Sequence, residues 1–423
     1  MKNLIFKRNE TIYEKKSEDY LVLLDVARRS LFCYKKDTKI VWDCIQGETT
    51  LHDLHNQLVS NGYEVAKEAI ENLVYDMIKR AILSCDKYLP DEEYIEKNND
   101  LNNYIEYCNT RNKVNSVLIE VTNMCNLKCV HCFHDMRISS LTLDTLENLF
   151  DDLKNTDILN ITLTGGEITL YPYWKDVVEL AYKNGIMVSI ISNFTLMTDE
   201  DADYILNSGV SVVRTSVYGS ECKLHDKITG IEGSFEKTIS RLKYFLQRGQ
   251  VVEVNVMVMK ENAYDIKNTI QFLKNMGAEV FLDYKIYPSR LNNKDNIALA
   301  ISKEDFINLC KEGILSYSTK AFCMACKNRI RINQVGDVMA CEFLNIPLGN
   351  VKDEKISRII GNEKCIELIK KIDMYKPERC KNCRHKNNCQ PCPAFEWMDN
   401  PYGNEGSDLM CYYTEIASMD SVK

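Results

Sequence analysis

The sequence predicts an α/β chain: a partial (β/α)6 TIM barrel between an N-terminal winged-helix domain and a cysteine-rich C-terminal extension. Three observations carry this. Six apolar strand candidates alternate with helical patterns through the middle of the chain. Two of the first strands end in loops with chemistry-bearing residues. The last hundred residues concentrate the cysteines.

The strand candidates are Val117–Thr122, Ile161–Thr164, Val188–Ser192, Val212–Val217, Val252–Met259 and Val280–Ile286. One intervening helix opens at Thr198-Asp-Glu-Asp201, a capping-box pattern, and stops at Gly209. Another spans about Ser234 to Gln247, with Phe235, Ile239, Leu242, Phe245 and Leu246 on one face. A third opens at Asn262 and closes near Gly277. Repeated strand–helix units imply a parallel sheet whose ligands bind at the carboxyl ends of the strands.

After the first strand comes Asn123-Met-Cys-Asn-Leu-Lys-Cys-Val-His-Cys132, a C-x3-C-x2-C run. Three thiolates can hold three irons of a [4Fe–4S] cube and leave the fourth open to a chelating cofactor. Zinc with His131 or His134 as a fourth ligand is the alternative. The second strand ends in Gly165-Gly-Glu167, where paired glycines permit close backbone approach and a carboxylate can meet an ammonium group.

These two loops together resemble the radical S-adenosylmethionine (SAM) enzymes. The resemblance implies that Cys125, Cys129 and Cys132 hold the cluster and that Gly165, Gly166 and Glu167 line the methionine amino group. It also implies that Ser192 and Asn193 approach the ribose and that Ser216 meets the SAM carboxylate. His225-Asp226 matches the family pattern without an assigned role, and no catalytic residue is assigned beyond the cluster.

Toward the C-terminus stand Cys323, Cys326, Cys341, Cys380, Cys383, Cys389, Cys392 and Cys411. Structural zinc suits C-x2-C pairs equally well. The array resembles the SPASM extension of radical SAM enzymes, which implies two auxiliary [4Fe–4S] clusters. By that likeness Cys323, Cys326, Cys341 and Cys392 hold one, and Cys380, Cys383, Cys389 and Cys411 hold the other. The gap between Cys389 and Cys392 is two residues where three is commoner, which leaves Cys365 as a spare candidate. The remaining cysteines, Cys33, Cys44, Cys85, Cys108, Cys222 and Cys310, read as small buried hydrophobes.

Residues 1–90 read as the separate winged-helix domain, from a strand at Tyr20–Leu24 and helices over Lys39–Ile45, Thr50–Ser60 and Val65–Lys79. DNA binding is disfavoured by a balance of fourteen Lys/Arg against fourteen Asp/Glu in this span. Ahead of such a barrel, the domain resembles the PqqD-like recognition element of enzymes that modify ribosomally made peptides. There a leader peptide adds a strand to a sheet edge. Residues 91–113 read as a linker with one helical turn, 114–300 as the barrel and 301–423 as the SPASM domain.

The net charge of −8 argues against nucleic acid. Eighteen cysteines without an export signal or a membrane-length apolar run imply a cytoplasmic, reducing setting and metal chemistry. The whole resembles sactipeptide and ranthipeptide synthases. That implies a peptide maturase forming intramolecular thioether links through a 5′-deoxyadenosyl radical, with flavodoxin or ferredoxin as electron donor. The alternatives are a carbon–carbon cross-linking or epimerising maturase and a sulfatase-maturing type of enzyme. The different-class alternative is a zinc-binding winged-helix DNA-binding protein.

Overall fold

The computed structural model describes residues 4–15, 17–85, 87–134, 138–287, 295–315, 323–386, 389, 391–397 and 403–417. The N-terminal region runs β1 (Ile5–Arg8), β2 (Ile12–Lys15), β3 (Tyr20–Asp25), β4 (Ser30–Lys35), α1 (Thr38–Cys44), β5 (Thr49–Thr50), α2 (Leu51–Ser60), α3 (Lys67–Lys79) and β6 (Leu83–Cys85). Strands β2, β3 and β4 form an antiparallel meander, and β1 lies between β5 and β6 in a second small sheet. Strand alternation divides the labour of the meander. Leu21, Leu23 and Phe32 pack with Trp42, Leu54, Leu58, Val74 and Met77 of the local helices. Val22, Leu24 and Leu31 face the other way, onto Tyr104, Cys108, Leu159 and Met187. The meander is therefore buried on both faces, and buried Lys15 adds a 3.2 Å bond from its Nζ to the Gly185 carbonyl.

The segment read as a linker forms two helices, α4 (Glu92–Lys97) and α5 (Leu101–Thr110). Only a narrow stripe of α5, Tyr104 and Cys108, is buried, so its apolar period is too weak to stand out among Asn and Glu. The turn between them caps the outer edge of β4. Asn99 Oδ1 accepts from Leu31 N–H at 3.0 Å and Asp100 Oδ2 from Cys33 N–H at 2.9 Å. Asp100 N–H in turn donates to the Leu31 carbonyl at 2.7 Å.

The barrel region continues β7 (Ser116–Thr122), α6 (Leu143–Leu153), β8 (Asn160–Gly165), α7 (Trp174–Lys183), β9 (Met187–Ile191), α8 (Asp199–Asn207), β10 (Val212–Ser216), α9 (Cys222–Thr229), α10 (Ser234–Leu246), β11 (Val252–Met257), α11 (Ile266–Asn275) and β12 (Glu279–Asp283). The six strands are parallel and neighbour one another in chain order. Thr198 and Asp201 close the expected capping box on α8. Val117, Ile119 and Val121 of β7 join the core, with Leu146, Phe150 and Val177 from the covering helices.

The last region comprises α12 (Lys303–Lys311), β13 (Arg329–Ile332), β14 (Asp337–Met339), β15 (Pro347–Asn350), α13 (Ile356–Ile359), α14 (Glu363–Met374), α15 (Ala394–Trp397) and α16 (Asp408–Ala417). Its strands extend the barrel sheet. β13 pairs parallel to β7, and β14 and β15 follow antiparallel, for nine strands in all among the described residues. No helix among the described residues is long and apolar enough to cross a membrane.

Candidate active site

The cysteine loop leaves the end of β7 and is held from two sides. Lys128 N–H donates to the Thr229 carbonyl at 2.8 Å and Val130 N–H to the Ile228 carbonyl at 3.0 Å, so the end of α9 braces its outer strand. On the inner side, Gly166 N–H donates to the Thr122 carbonyl at 2.9 Å and Glu167 N–H to the Met124 carbonyl at 2.8 Å. The glycine pair is what permits this approach. A Cβ on Gly165 would lie 2.0 Å from the Thr122 carbonyl oxygen, and one on Gly166 would lie 2.3 Å from that of Met124. The glycines thus seat the second strand against the cysteine loop itself.

The three thiols lie within electrostatic reach of one another. Burial pushes Cys129 up to about 12, and Cys132 and Cys125 push it further in the same direction. Cys125 is also raised, by burial first, although Leu127 N–H donates to its Sγ at 3.4 Å and opposes the rise. Such N–H···S bonds favour the thiolate, the form that binds metal. Three neighbouring thiols on a braced loop, with a donor already aimed at sulfur, fit an iron–sulfur cube. Among the described residues no three His, Cys, Asp or Glu side chains are placed to hold a single metal ion. A cube asks less convergence than a lone ion, because each thiolate takes a different iron.

Glu167 is the hub behind the loop. Its Oε1 accepts from Thr169 N–H (3.1 Å), Thr169 Oγ1 (2.9 Å) and Ser192 Oγ (2.7 Å), and its Oε2 accepts from Asn193 N–H at 2.7 Å. Burial raises its pKa, and the donated bonds oppose that rise. Asn193 passes the connection on, donating from Nδ2 to Asn126 Oδ1 at 3.0 Å, while Asn126 donates to Thr195 Oγ1 at 2.7 Å. The structure therefore brings Gly165, Gly166, Glu167, Ser192 and Asn193 together beside the cysteines, with the Ser192 hydroxyl already engaged by Glu167. Glu167→Gln should weaken this hub, because an amide offers one acceptor oxygen where the carboxylate offers two. The expected cost is about 1–3 kcal/mol of stability, read by thermal melts.

Ser216 stands at the end of β10, two residues before Tyr218. Tyr218 is buried with its ring 4.9 Å from that of His131, and burial and then Cys129 push its phenol up. Its carbonyl accepts from Asn262 Nδ2 at 3.1 Å, which ties the ends of β10 and β11 together. Neither Tyr218 nor Asn126 was assigned from sequence, though Asn126 lies inside the cysteine motif and Tyr218 directly follows the fourth strand candidate. Asp226 caps α10, accepting from Gly233 N–H, Ser234 Oγ and Phe235 N–H at 2.7–2.8 Å, a structural role.

Inside the barrel, Glu120 of β7 meets Arg331 of β13 at 3.2 Å, both all but fully buried. His134 Nδ1 lies 3.8 Å from Glu120, and Arg331 reaches Asn345 Oδ1 at 3.3 Å. A carboxylate in the middle of an apolar strand is the signal that could have flagged this wall, since a buried charge needs a partner.

The C-terminal cysteines fall into two groups. Cys326 is raised by its hydrogen bond to Cys365, by burial, and then by Cys341 and Cys323. Burial pushes Cys392 to about 12, with Cys341 and Cys323 adding to it. Cys380 is raised by burial and then by Cys411, Cys389 and Cys383. Cys326 and Cys392 thus each feel Cys341 and Cys323, while Cys380 feels Cys411, Cys389 and Cys383. Backbone donors reach these sulfurs as well, Leu344 N–H to Cys341 at 3.2 Å and His385 N–H to Cys383 at 3.4 Å.

The radical SAM superfamily profile matches residues 119–273, and that of SPASM, an iron–sulfur cluster-binding domain, matches residues 323–384. The AdoMet-dependent heme synthase of Methanosarcina barkeri is 24% identical over 314 residues, 65% of this chain and 90% of that protein. The antilisterial bacteriocin subtilosin biosynthesis protein AlbA of Bacillus subtilis is 27% identical over 166 residues. That match covers 38% of this chain and only 37% of AlbA. Among solved structures, Streptococcus suis SuiB bound to precursor peptide SuiA shares the fold over 96% of this chain and 99% of its own, with a TM-score of 0.61 at 14% identity.

Proposed function

Because the chain carries a radical SAM domain and a SPASM domain with homologues among peptide maturases, and these domains imply SAM and [4Fe–4S] clusters, we propose that it forms thioether links within a ribosomally made precursor peptide. The observation that carries this reading is the N-terminal domain, whose meander packs on its own helices through one face and on α5 and the barrel residues Leu159 and Met187 through the other. A haem precursor has no use for such a domain, whereas a peptide leader does. Support also comes from the fold shared end to end with a protein whose structure holds its precursor peptide.

The N-terminal domain is the winged-helix-like recognition element in this reading. Its β4 edge is already capped at Leu31 and Cys33 by Asn99 and Asp100, so a leader strand added there starts beyond Cys33. A cleft of about 670 Å³ beside α2 and α3, lined by Ile5, Leu51, His52, His55, Lys67 and Glu71, gives leader side chains a place to dock.

Cys125, Cys129 and Cys132 would hold the SAM cluster, Gly165, Gly166 and Glu167 the methionine end of SAM, and Ser192, Asn193 and Ser216 its ribose and carboxylate. When bound, SAM and the clusters supply a 5′-deoxyadenosyl radical that removes a hydrogen atom, and a sink for the electron left behind. The chain's own work is positioning. The Gly165-Gly166 seat fixes the loop, Glu167 fixes the neighbouring strand ends, and the buried barrel wall keeps water from the radical. A flavodoxin or ferredoxin in the cytoplasm is the proposed electron source, with neither nucleic acid nor membrane as partner.

The test is intact-mass analysis of a cysteine-containing precursor peptide co-expressed anaerobically with the enzyme and then alkylated. Thioether formation predicts a loss of two hydrogens per event, with the matching thiols blocked to alkylation. The same loss with every thiol still reactive would overturn it in favour of carbon–carbon coupling.

A further inference from the structure

The strands that carry the candidate site are parallel, so their opposite ends form a second mouth of the barrel. The cysteine loop follows β7, Gly165-Gly-Glu167 closes β8, Ser192-Asn193 follows β9 and Ser216 ends β10. The N-terminal domain and α5 hold the other ends. Lys15 Nζ donates to the Gly185 carbonyl at 3.2 Å, two residues before β9. Arg29 Nη2 donates to the Val210 carbonyl at 2.8 Å, two residues before β10. Val22, Leu24 and Leu31 pack with Leu159, the residue before β8, and with Met187, the first of β9. Asn109 of α5 accepts from Asn328 Nδ2 at 2.7 Å, just before β13. Tyr13 lies so close to Gly185 that a Cβ there would meet its ring at 2.4 Å. The N-terminal domain and the cysteine loop therefore occupy opposite mouths of one barrel.

These strands run five to seven residues, so at about 3.3 Å per residue the two mouths stand about 20 Å apart. The cleft lined by Ile5, Leu51, His52, His55, Lys67 and Glu71 is farther still. Its helices α2 and α3 pack on Leu21, Leu23 and Phe32, the meander face turned away from the barrel, and a helix layer adds about 10 Å. A leader docked there lies about 30 Å from the cysteine loop, and an extended chain covers at most about 3.5 Å per residue. We propose that the substrate is built to this gauge: at least about eight residues separate its docked leader segment from the residue that is modified, and they run the height of the barrel. This rests on the reading of the chain as a leader-dependent peptide maturase. A peptide with a shorter spacer can occupy the cleft or the site, but not both. Tethering then brings no gain in effective concentration, because the linker cannot span the two.

The experiment leaves the enzyme unchanged and alters the peptide. The full chain, reconstituted anaerobically, is given the cysteine-containing precursor peptide of the mass-loss test in three versions: the parent, one with its spacer cut to about four residues, which reach about 14 Å, and one without its leader. Any mass change counts as modification, whichever bond it reports. The short-spacer peptide should bind with the parent's affinity by fluorescence anisotropy, yet be modified only at the leaderless rate, about 100-fold or more below the parent. Leader alone should protect α2 and α3 from hydrogen exchange and leave residues 125–132 unchanged. A short-spacer peptide modified faster than the leaderless one overturns the proposal. So does protection of residues 125–132 by leader alone, or a parent whose leader segment, mapped by truncation, ends within about four residues of its modified residue. A parent left unmodified, or a leaderless peptide modified as fast as the parent, instead overturns the maturase reading itself, whatever the spacer.

Discussion

Cys129→Ala is expected to abolish SAM cleavage while leaving binding of the precursor leader unchanged. Cys129 is the middle thiol of the loop and feels both Cys125 and Cys132. Its removal leaves two protein ligands where a cube with one open iron needs three, so about four of roughly twelve irons should be lost. The effect should stop at the barrel. The N-terminal domain has its own core around Leu21, Trp42, Leu54 and Met77, a cluster that includes no residue of the loop. The checks are anaerobic 5′-deoxyadenosine formation, expected at background, and leader affinity by fluorescence anisotropy, expected at the wild-type value. Persistent 5′-deoxyadenosine in this variant would sink the cluster assignment.

A single methyl group at Gly166 should be almost as damaging. In Gly166→Ala the new Cβ meets the Met124 carbonyl oxygen at 2.3 Å, the Met124 carbonyl carbon at 2.6 Å and the Asn123 carbonyl oxygen at 2.8 Å. All three atoms are backbone, so no rotamer change relieves the clash. Either the end of β8 or the cysteine loop must shift by about 1 Å, at a cost of about 1–3 kcal/mol. A displacement of that size at a reacting centre costs about 100-fold in rate. SAM cleavage should fall by about that factor, with a melting temperature several degrees lower. Gly361→Ala is the matched control. Its Cβ meets nothing closer than 3.8 Å, and it should leave both quantities unchanged. Equal losses in the two variants would show that the Gly166 effect is not steric contact with the cysteine loop.

The parts legible in the sequence are those whose cause is local. Each of the six barrel strands is an apolar run, and the capping box at Thr198 and Asp201 is readable because its partners are three residues apart. The cysteine loop and Gly165-Gly166 are likewise short motifs at strand ends. What escaped depends on distant partners. Helix α5 shows too thin an apolar stripe to announce itself, and its stability comes from the meander and barrel residues on which Tyr104 and Cys108 rest. Glu120 and Arg331 are 211 positions apart, so their pairing has no sequence signature beyond a charge inside an apolar strand. The Glu167 hub was half visible: the carboxylate drew notice, but its ties to Ser192 and Asn193 cross from one strand end to the next.

The pairing of β13 with β7 sets a timetable for synthesis. Ser116 to Ile119 find their partners only at Arg329 to Ile332, so the first barrel strand waits for more than two hundred further residues before its second edge is closed. At ribosomal rates of about 5–20 residues per second, that interval lasts on the order of ten to forty seconds. Throughout it the nascent barrel presents an open strand edge right beside the cysteine loop, the kind of edge that recruits other chains. Slowed translation upstream of residue 329, by rare codons or low temperature, should therefore increase aggregation of the nascent chain, whereas the same slowing after residue 350 should not.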